Sequence, residues 1–335
     1  MSTGGMRPGS PLAKAGQFIP MTVLPMTPMD LSDLAAAGIS SQQASGLVRL
    51  GVLHRVLHGV YLHRDVPLSI ENRAACIAKV LPDHAVVCDH TAAWLWGVDC
   101  QPSAALDAPL DLDVVRTDGR DRTTRSGVHG GKRALREEEI WEVGGVPVTS
   151  PVRTACDLAC RRGRRQALAV LDAFMHSCGV TKADYRAMLT HFRGRRGCTQ
   201  LRELVEYADP RAESLRESWV RMEIIDAGLP VPQPQVWVRV PELGRRRLDL
   251  GYAGRLIAVE HDGDEHHTEE EDVESDDERR DALRRLGWYI IVVRKEDFDG
   301  PRLECWLREL RDVLAERSPS RPRRYARAER RRTWR

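Results

Sequence analysis

The sequence predicts an α+β chain of several domains: an N-terminal helix–turn–helix with a β-ribbon, a mixed α/β middle region, and a C-terminal unit ordered α-β-β-β-α-β. Three observations point there. Residues 30 to 62 read as two short helices followed by an alternating apolar and polar stretch. Residues 69 to about 205 mix helical patterns with separate strand-like runs. After Asp209-Pro210 the order becomes a helix, three strand-like runs, a helix, a strand and a last helix. At 335 residues the chain is long enough for two or three cores. Hydrophobic residues at 42% and charged residues at 30% exclude a wholly disordered chain. No apolar run approaches the ~20 residues that span a bilayer. Phe18 to Met26 is apolar but broken by Pro20 and Pro25, a poor signal-peptide core, so a cytoplasmic protein is expected.

Eight cysteines lie at irregular spacings with no C-x-x-C pair. Cys156 and Cys160 fall on one helix face, but no second ligand pair follows at a zinc-site distance. Buried, reduced thiols are the expectation. A formal net charge of +2 conceals strong polarity: Glu260 to Glu278 holds twelve acids and no Lys or Arg, while Arg317 to Arg335 holds nine Arg against one Glu. Such blocks read as solvated segments or interaction arms.

Residues 1–28, rich in Gly, Pro, Ser, Thr and Met, are expected to form a disordered tail, with Met6, Met21 and Met26 as alternative starts. Residues 29–66 form the first unit. Asp30 to Ala37 reads as a helix ended by Gly38. Ser40 or Ser41 caps a second helix running to Gly51. Val52 to Leu62 alternates as a ribbon, with Gly59 at the turn. That order is a winged helix-turn-helix, whose second helix enters the DNA major groove. Ser41, Gln42, Gln43, Ser45 and Arg49 are the candidate readers, with Arg55, His54 and His58 on the wing. Residues 1 to 70 hold only five Lys or Arg against three Asp, so a protein-docking winged helix stays open beside double-stranded DNA binding.

Residues 67–208 are expected to be a scaffold. Helical patterns span Ile70–Val80 and Asp89–Trp96, strand-like runs Leu110–Val115 and Val146–Thr149, and further helices Pro151–Cys160, Gln166–His176, Lys182–His191 and Thr199–Tyr207. Arg153 and Asp157, spaced i and i+4, are placed to pair along one helix in a structural role.

Residues 209–316 carry the candidate chemistry. Glu213 to Ala227 reads as a helix, followed by strands at Val236–Val240, Arg246–Tyr252 and Arg255–His261. A two-residue loop at Ala253-Gly254 sets Tyr252 opposite Arg255, Leu250 opposite Ile257 and Leu248 opposite Val259, an apolar layer. The other parity puts Asp249 across from Ala258, with Glu260 diagonal to it and Asp262 further along. Diagonal neighbours are about 7–8 Å apart at Cα, so two carboxylates pointing the same way can close on one divalent cation. Acids gathered on one face repel each other without a cation, which points to Mg²⁺ or Mn²⁺. A merely solvated acidic face is the alternative. A helix from about Asp277 to Leu286, the buried strand Trp288–Val293 and the amphipathic helix Pro301–Leu314 complete the unit. Residues 317–335 form an Arg-rich tail, in which Tyr325 and Trp334 are placed to stack on bases if it binds nucleic acid.

These residues resemble known families. The element order, Asp249 on the second strand and Glu260-x-Asp262 on the third resemble the PD-(D/E)XK superfamily, with a restriction-endonuclease-like fold. Ser214-Leu215-Arg216-Glu217-Ser218, Ala227-Gly228-Leu229-Pro230, Arg247-Leu248-Asp249-Leu250, Glu260-His261-Asp262-Gly263 with His266, and Arg280-Asp281 through Leu286-Gly287-Trp288 look like the very-short-patch-repair-endonuclease-like domain. The N-terminal winged helix, Arg55 to Tyr61, and Arg153-Thr154 through Asp157 look like AbiEi-type antitoxins, DNA-binding repressors of toxin–antitoxin operons. The first resemblance implies Asp249, Glu260 and Asp262 as metal ligands, Glu217 as a further carboxylate, and His266 as general base or acid. Glu217 is otherwise an ordinary exposed helix residue, and His266 a solvated loop histidine. Asp262 stands where the superfamily usually has Lys, with Arg280 or Lys295 as possible substitutes, and the acidic loop Glu269–Glu274 repels phosphate.

The leading expectation is therefore a DNA-binding, metal-dependent endonuclease that hydrolyses phosphodiester bonds. Its alternative is an AbiEi-like antitoxin or transcriptional repressor with an inactive nuclease-like domain and a nucleotidyltransferase-type toxin as partner.

Overall fold

The computed structural model describes residues 24–98, 100, 109–117, 127–241, 243–262 and 270–317, with the side chains of 270–276 outside it. It holds mixed α/β architecture in three sheets. The first comprises β1 (Met29–Asp30), β3 (Val60–His63) and β2 (Leu53–Leu57), in the order β1-β3-β2. Between β1 and β2 lie α1 (Leu31–Ala36) and α2 (Ser41–Arg49). Capping boxes start both helices: Asp30 with Asp33, and Ser40 with Gln43. Two orphan amides are satisfied reciprocally at each start, so helices this short are defined by their ends. Met29, Leu34, Ala44, Leu47, Leu53 and Tyr61 form their core.

The second sheet runs β6-β5-β4-β8-β7. Its strands are β4 (Ala85–Val87), β5 (Leu112–Arg116), β6 (Val128–Lys132), β7 (Ile140–Val143) and β8 (Val146–Thr149). α3 (Ile70–Ala78) and α4 (Asp89–Leu95) cover it. Val56, Leu57, Val60 and Leu62 of the ribbon share one core with Ile77, Val87, Leu95 and Val148, so the ribbon is seated on the middle region. A helical layer follows: α5 (Pro151–Arg161), α6 (Arg164–Cys178), α7 (Lys182–Met188) and α8 (Cys198–Tyr207). Ser150 caps α5, and Pro151 at its first turn presets the backbone for the helix. Leu168, Leu171, Phe174, Tyr185, Leu201 and Leu204 pack together inside this layer.

The third sheet is β12-β11-β10-β9, made of β9 (Gln233–Val240), β10 (Gly244–Tyr252), β11 (Ile257–Asp262) and β12 (Tyr289–Arg294). α9 (Leu215–Asp226), α10 (Glu270–Arg285) and α11 (Gly300–Glu316) complete the expected element order. β11 and β12 are parallel, and their residues are apolar in a near-continuous run because both faces are covered. Val220 and Ile224 of α9 and Leu310 of α11 cover one face; Ala282 and Leu283 of α10 cover the other.

α6 packs along α9 and ties the last unit to the middle one. There Arg221 pairs with Asp172, both 1% exposed, and also donates to the Tyr207 carbonyl at 2.7 Å. Ser218 Oγ donates to the same Asp172 oxygen, Oδ2, at 2.7 Å. Burial pushes the Asp172 carboxyl up, against the pull of Arg221. Among the described residues no helix is long and apolar enough to cross a membrane.

The hairpin register differs from the expected one. Ala253–Arg255 is a 3-10 turn closed by Leu256 in the left-handed region, φ 54°. The longer loop pairs Leu250 with Val259 and Tyr252 with Ile257. The offset from the two-residue loop is even, so parity survives. Leu248 does not join the layer of Leu250: it packs with Val236, Ala258 and Leu283, while Leu250 packs with Val220, Val259 and Ile291. Gln235, φ 55°, lies between the pairs Leu248↔Val236 and Leu250↔Pro234 and interrupts the pleat there.

Candidate functional site

Carrying the pairing one residue beyond Leu250↔Val259 sets Asp249 against Glu260 directly, rather than against Ala258. The His261 amide donates to Asp249 Oδ2 at 2.9 Å. Glu217 is buried, 8% exposed, and so is not the ordinary exposed helix residue of the alternative reading. Gln235 Nε2 donates to it at 2.7 Å and the Glu213 amide at 3.2 Å. Burial, then the neighbouring Glu217 and Glu260, push the Asp249 carboxyl up to about 7. Burial also raises Glu217.

The other two acids meet arginines. Arg279 grips Glu260 with both guanidinium nitrogens, at 2.8 and 3.0 Å. Arg280 reaches Asp262 at 3.3 Å and Glu260 at 3.7 Å. A bidentate guanidinium–carboxylate pair is among the stronger charge-assisted contacts. Mg²⁺ and Mn²⁺ need carboxylate oxygens free to coordinate. Glu260 and Asp262 face Arg279 and Arg280, contacts that either ion would have to displace before these oxygens could coordinate it. Arg280 was an expected substitute for the missing Lys; Arg279 was not foreseen. His266, His267 and the loop Glu269–Glu274 lie outside the described residues or side chains, as does the tail with Tyr325 and Trp334.

The expected DNA readers sit on one short helix. Ala44 and Leu47 face the core, leaving Ser41, Gln42, Ser45 and Arg49 exposed on α2. Gln43 is partly withdrawn, because its carboxamide accepts from the Ser40 amide at 2.9 Å to close the capping box. Ser45 Oγ donates back to the Ser41 carbonyl. Arg55 and His54 are exposed on β2, and Arg55 lies 3.4 Å from His58. A second exposed basic feature was missed: Trp237 on edge strand β9, with Arg245 and Arg247 at 4.8 and 5.7 Å from its ring centroid.

The middle region holds an extended polar network, also missed as a whole. Arg153 is fully buried on α5 and donates to Asp157 at 2.7 Å and Glu139 at 2.5 Å. His191 closes on Glu139 at 2.7 Å. Asp157 also accepts from Arg133, which forks onto Asp89 at 3.1 and 2.9 Å, and Arg161 donates to Asp89 at 2.6 Å. Charges thus alternate along a chain from Glu139 to Arg161. Asp89 opens α4 at φ 50°, a strained position for a residue with a side chain, retained where its carboxylate serves two arginines. The i, i+4 spacing of Arg153 and Asp157 was the one visible sign of this network.

Comparison with known proteins follows these boundaries. Residues 85–207, from the first residue of β4 to the last of α8, match the family model of the AbiEi antitoxin C-terminal domain. The chain belongs to the same family as two proteins of Mycobacterium tuberculosis: the uncharacterized protein Rv2248 of strain ATCC 25618 / H37Rv and the uncharacterized protein MT2308 of strain CDC 1551 / Oshkosh. Each is 32% identical over 259 residues, spanning 77% of this chain and 92% of the relative.

Proposed function

We propose that this protein is an antitoxin-type DNA-binding regulator, in which a winged helix at residues 29–66 contacts double-stranded DNA. The observation that carries the reading is the AbiEi antitoxin C-terminal domain match over residues 85–207. It is supported by α2, whose exposed Ser41, Gln42, Ser45 and Arg49 suit a major-groove surface. The Arg245–Trp237–Arg247 edge adds a second surface of nucleic-acid type. In this reading the C-terminal unit is a restriction-endonuclease-like fold whose carboxylates are engaged by Arg279 and Arg280, and its work is to bind rather than cut. The partner is a toxin, of nucleotidyltransferase type on the family resemblance.

The test is a gel-shift titration on the DNA upstream of the protein's own gene. Gln42→Ala with Arg49→Ala should weaken specific binding by about 10-fold or more, while Asp249→Ala leaves it unchanged. These point variants are cleaner than removing residues 30–65, because the ribbon contributes Val56, Leu57 and Val60 to the middle core. Unaltered binding by the double variant would remove the winged helix from the reading.

One observation favours metal-dependent phosphodiester hydrolysis as a second reading: the Asp249 carboxyl, raised to about 7, faces Glu217 and Glu260. Plasmid nicking with Mg²⁺ or Mn²⁺, lost in Asp249→Ala, would establish it in place of the binding role. No nicking by folded protein with either ion would retire it.

A further inference from the structure

Two arginine-rich turns meet at one cavity. The end of α5 carries Arg161 and Arg162, and the loop before α8 carries Arg195 and Arg196 between Gly194 and Gly197. Gly194 and Gly197 both take left-handed backbone, φ 74° and 83°. A Cβ on Gly197 would stand 2.1 Å from the Cys160 carbonyl oxygen, so only glycine lets this loop seat against α5. The seat encloses a half-open cavity of about 670 Å³ lined by Arg133, Arg161, Arg162, Arg195, Arg196 and Gln200.

Five guanidinium groups line this space against one lining carboxylate, Asp157. Arg133 and Arg161 are anchored by Asp89 behind them, and Arg195 lies 3.9 Å from Asp157 over the Phe192 ring. Arg162 meets His90 instead of an acid. Burial, then Arg162 itself, lower His90 to about 4, so the imidazole is neutral and leaves that positive charge uncompensated. Arg196 is exposed and has no carboxylate partner among the described residues. Arginines two and three residues on, at the start of α6, are treated differently: Arg164 meets Glu203 and Asp226, and Arg165 meets Glu223 and Asp299. Like charges held in a concave, partly desolvated space repel unless an anion joins them, and planar guanidinium groups suit phosphate oxygens. The volume falls in the range of small-ligand sites, and a concave shape suits a compact anion rather than a duplex backbone.

We propose that this cavity binds a compact polyphosphate group, such as the di- or triphosphate of a nucleotide, with Arg162 and Arg196 as its direct ligands. The site lies apart from α2 and from the carboxylate hairpin, and it does not depend on either reading of them.

The experiment is calorimetric titration of the full-length protein, in phosphate-free buffer, with inorganic triphosphate and separately with GTP. Native protein should bind inorganic triphosphate at one site per chain and gain thermal stability at saturation. Arg162→Ala with Arg196→Ala should weaken that binding about 10-fold or more, whereas Arg308→Ala on α11 should not. The double variant breaks no ion pair to a described carboxylate, and its own melting temperature, measured without ligand, separates lost binding from lost folding. GTP binding tighter than inorganic triphosphate would identify a nucleotide as the source; equal binding would mean recognition through the phosphates alone, and both support the site. Absence of saturable binding, or binding indifferent to the double variant, would overturn it. So would a double variant that loses only affinity for a 20-base-pair duplex, which would make the face a DNA-backbone contact.

Discussion

The Asp249 carboxyl holds its proton to about 7 in the folded chain, but only to about 3.9 once unfolded. Between those values the folded state binds more proton than the unfolded one, so this group's contribution to stability falls as pH rises through that window. Above about 7 the folded chain carries a buried carboxylate beside Glu217 and Glu260. Asp249→Asn removes that charge while keeping an oxygen for the His261 amide. It should stabilise the protein by about 1–3 kcal/mol at pH 8 and by almost nothing at pH 4, measured by thermal melts across pH. A gain independent of pH would mean that desolvated charge at Asp249 is not the cause. At this scale alternation was informative for Glu260 and Asp262, which both meet Arg280, and less so for Asp249, where Gln235 interrupts the pleat and the register sets it against Glu260 rather than Ala258. It was silent on Arg279, because a helix partner 19 residues away leaves no periodic trace. Gln43 shows the converse, a residue suited to reading adenine whose carboxamide is spent on a helix cap.

Helix α9 is joined to α6 through a guanidinium–carboxylate pair sealed from water. Removing one partner leaves the other charged and buried, so Arg221→Ala should cost about 3–5 kcal/mol, read as a lower urea midpoint. Arg221→Met with Asp172→Leu should recover much of that loss, since the cost arises from the unpaired charge; equal destabilisation by the double variant would contradict this. Gly197→Ala should cost about 2 kcal/mol or more, through left-handed backbone and the approach to Cys160. An unchanged melting temperature would show that the loop is free to lift off α5. Most helices were legible because caps and apolar spacing are local. Three strands of the five-stranded sheet were not. β4 is only three residues long, β6 contains Gly130 and Gly131, and β7 follows an acidic run at Glu137–Glu139. Their pairing comes from distant strands, which no short window contains. The hairpin loop misled in a similar way: Ala253-Gly254 resembles a two-residue turn, but Leu256 adopts the left-handed backbone and lengthens it.

Across the whole molecule, the resemblance carried in part by Arg153-Thr154 through Asp157 falls where the family model matches, but the charge network around those residues was not legible. Composition and motif spacing marked the helix pair and the carboxylate hairpin, while the region from β4 to α8 read as scaffold. Its chain of alternating charges is assembled from β-strand flanks, α4, α5 and the loop before α8, and only Arg153 and Asp157 are close in sequence. DNA affinity should depend on salt through the few exposed arginines engaged. Removing Arg49 should lower the slope of log affinity against log salt by about one; an unchanged slope would place Arg49 away from phosphate.

The buried pair between α6 and α9 has a genetic consequence. A descendant that lost everything after residue 208 would keep Asp172 and an uncovered face of α6, and one that lost the middle would keep Arg221 and an uncovered face of α9. Neither truncation yields a comfortable protein, so each half constrains the inheritance of the other. Arg164 with Asp226 and Arg165 with Glu223 and Asp299 join the same two parts, so the carboxylate hairpin travels with its neighbour through several charged links.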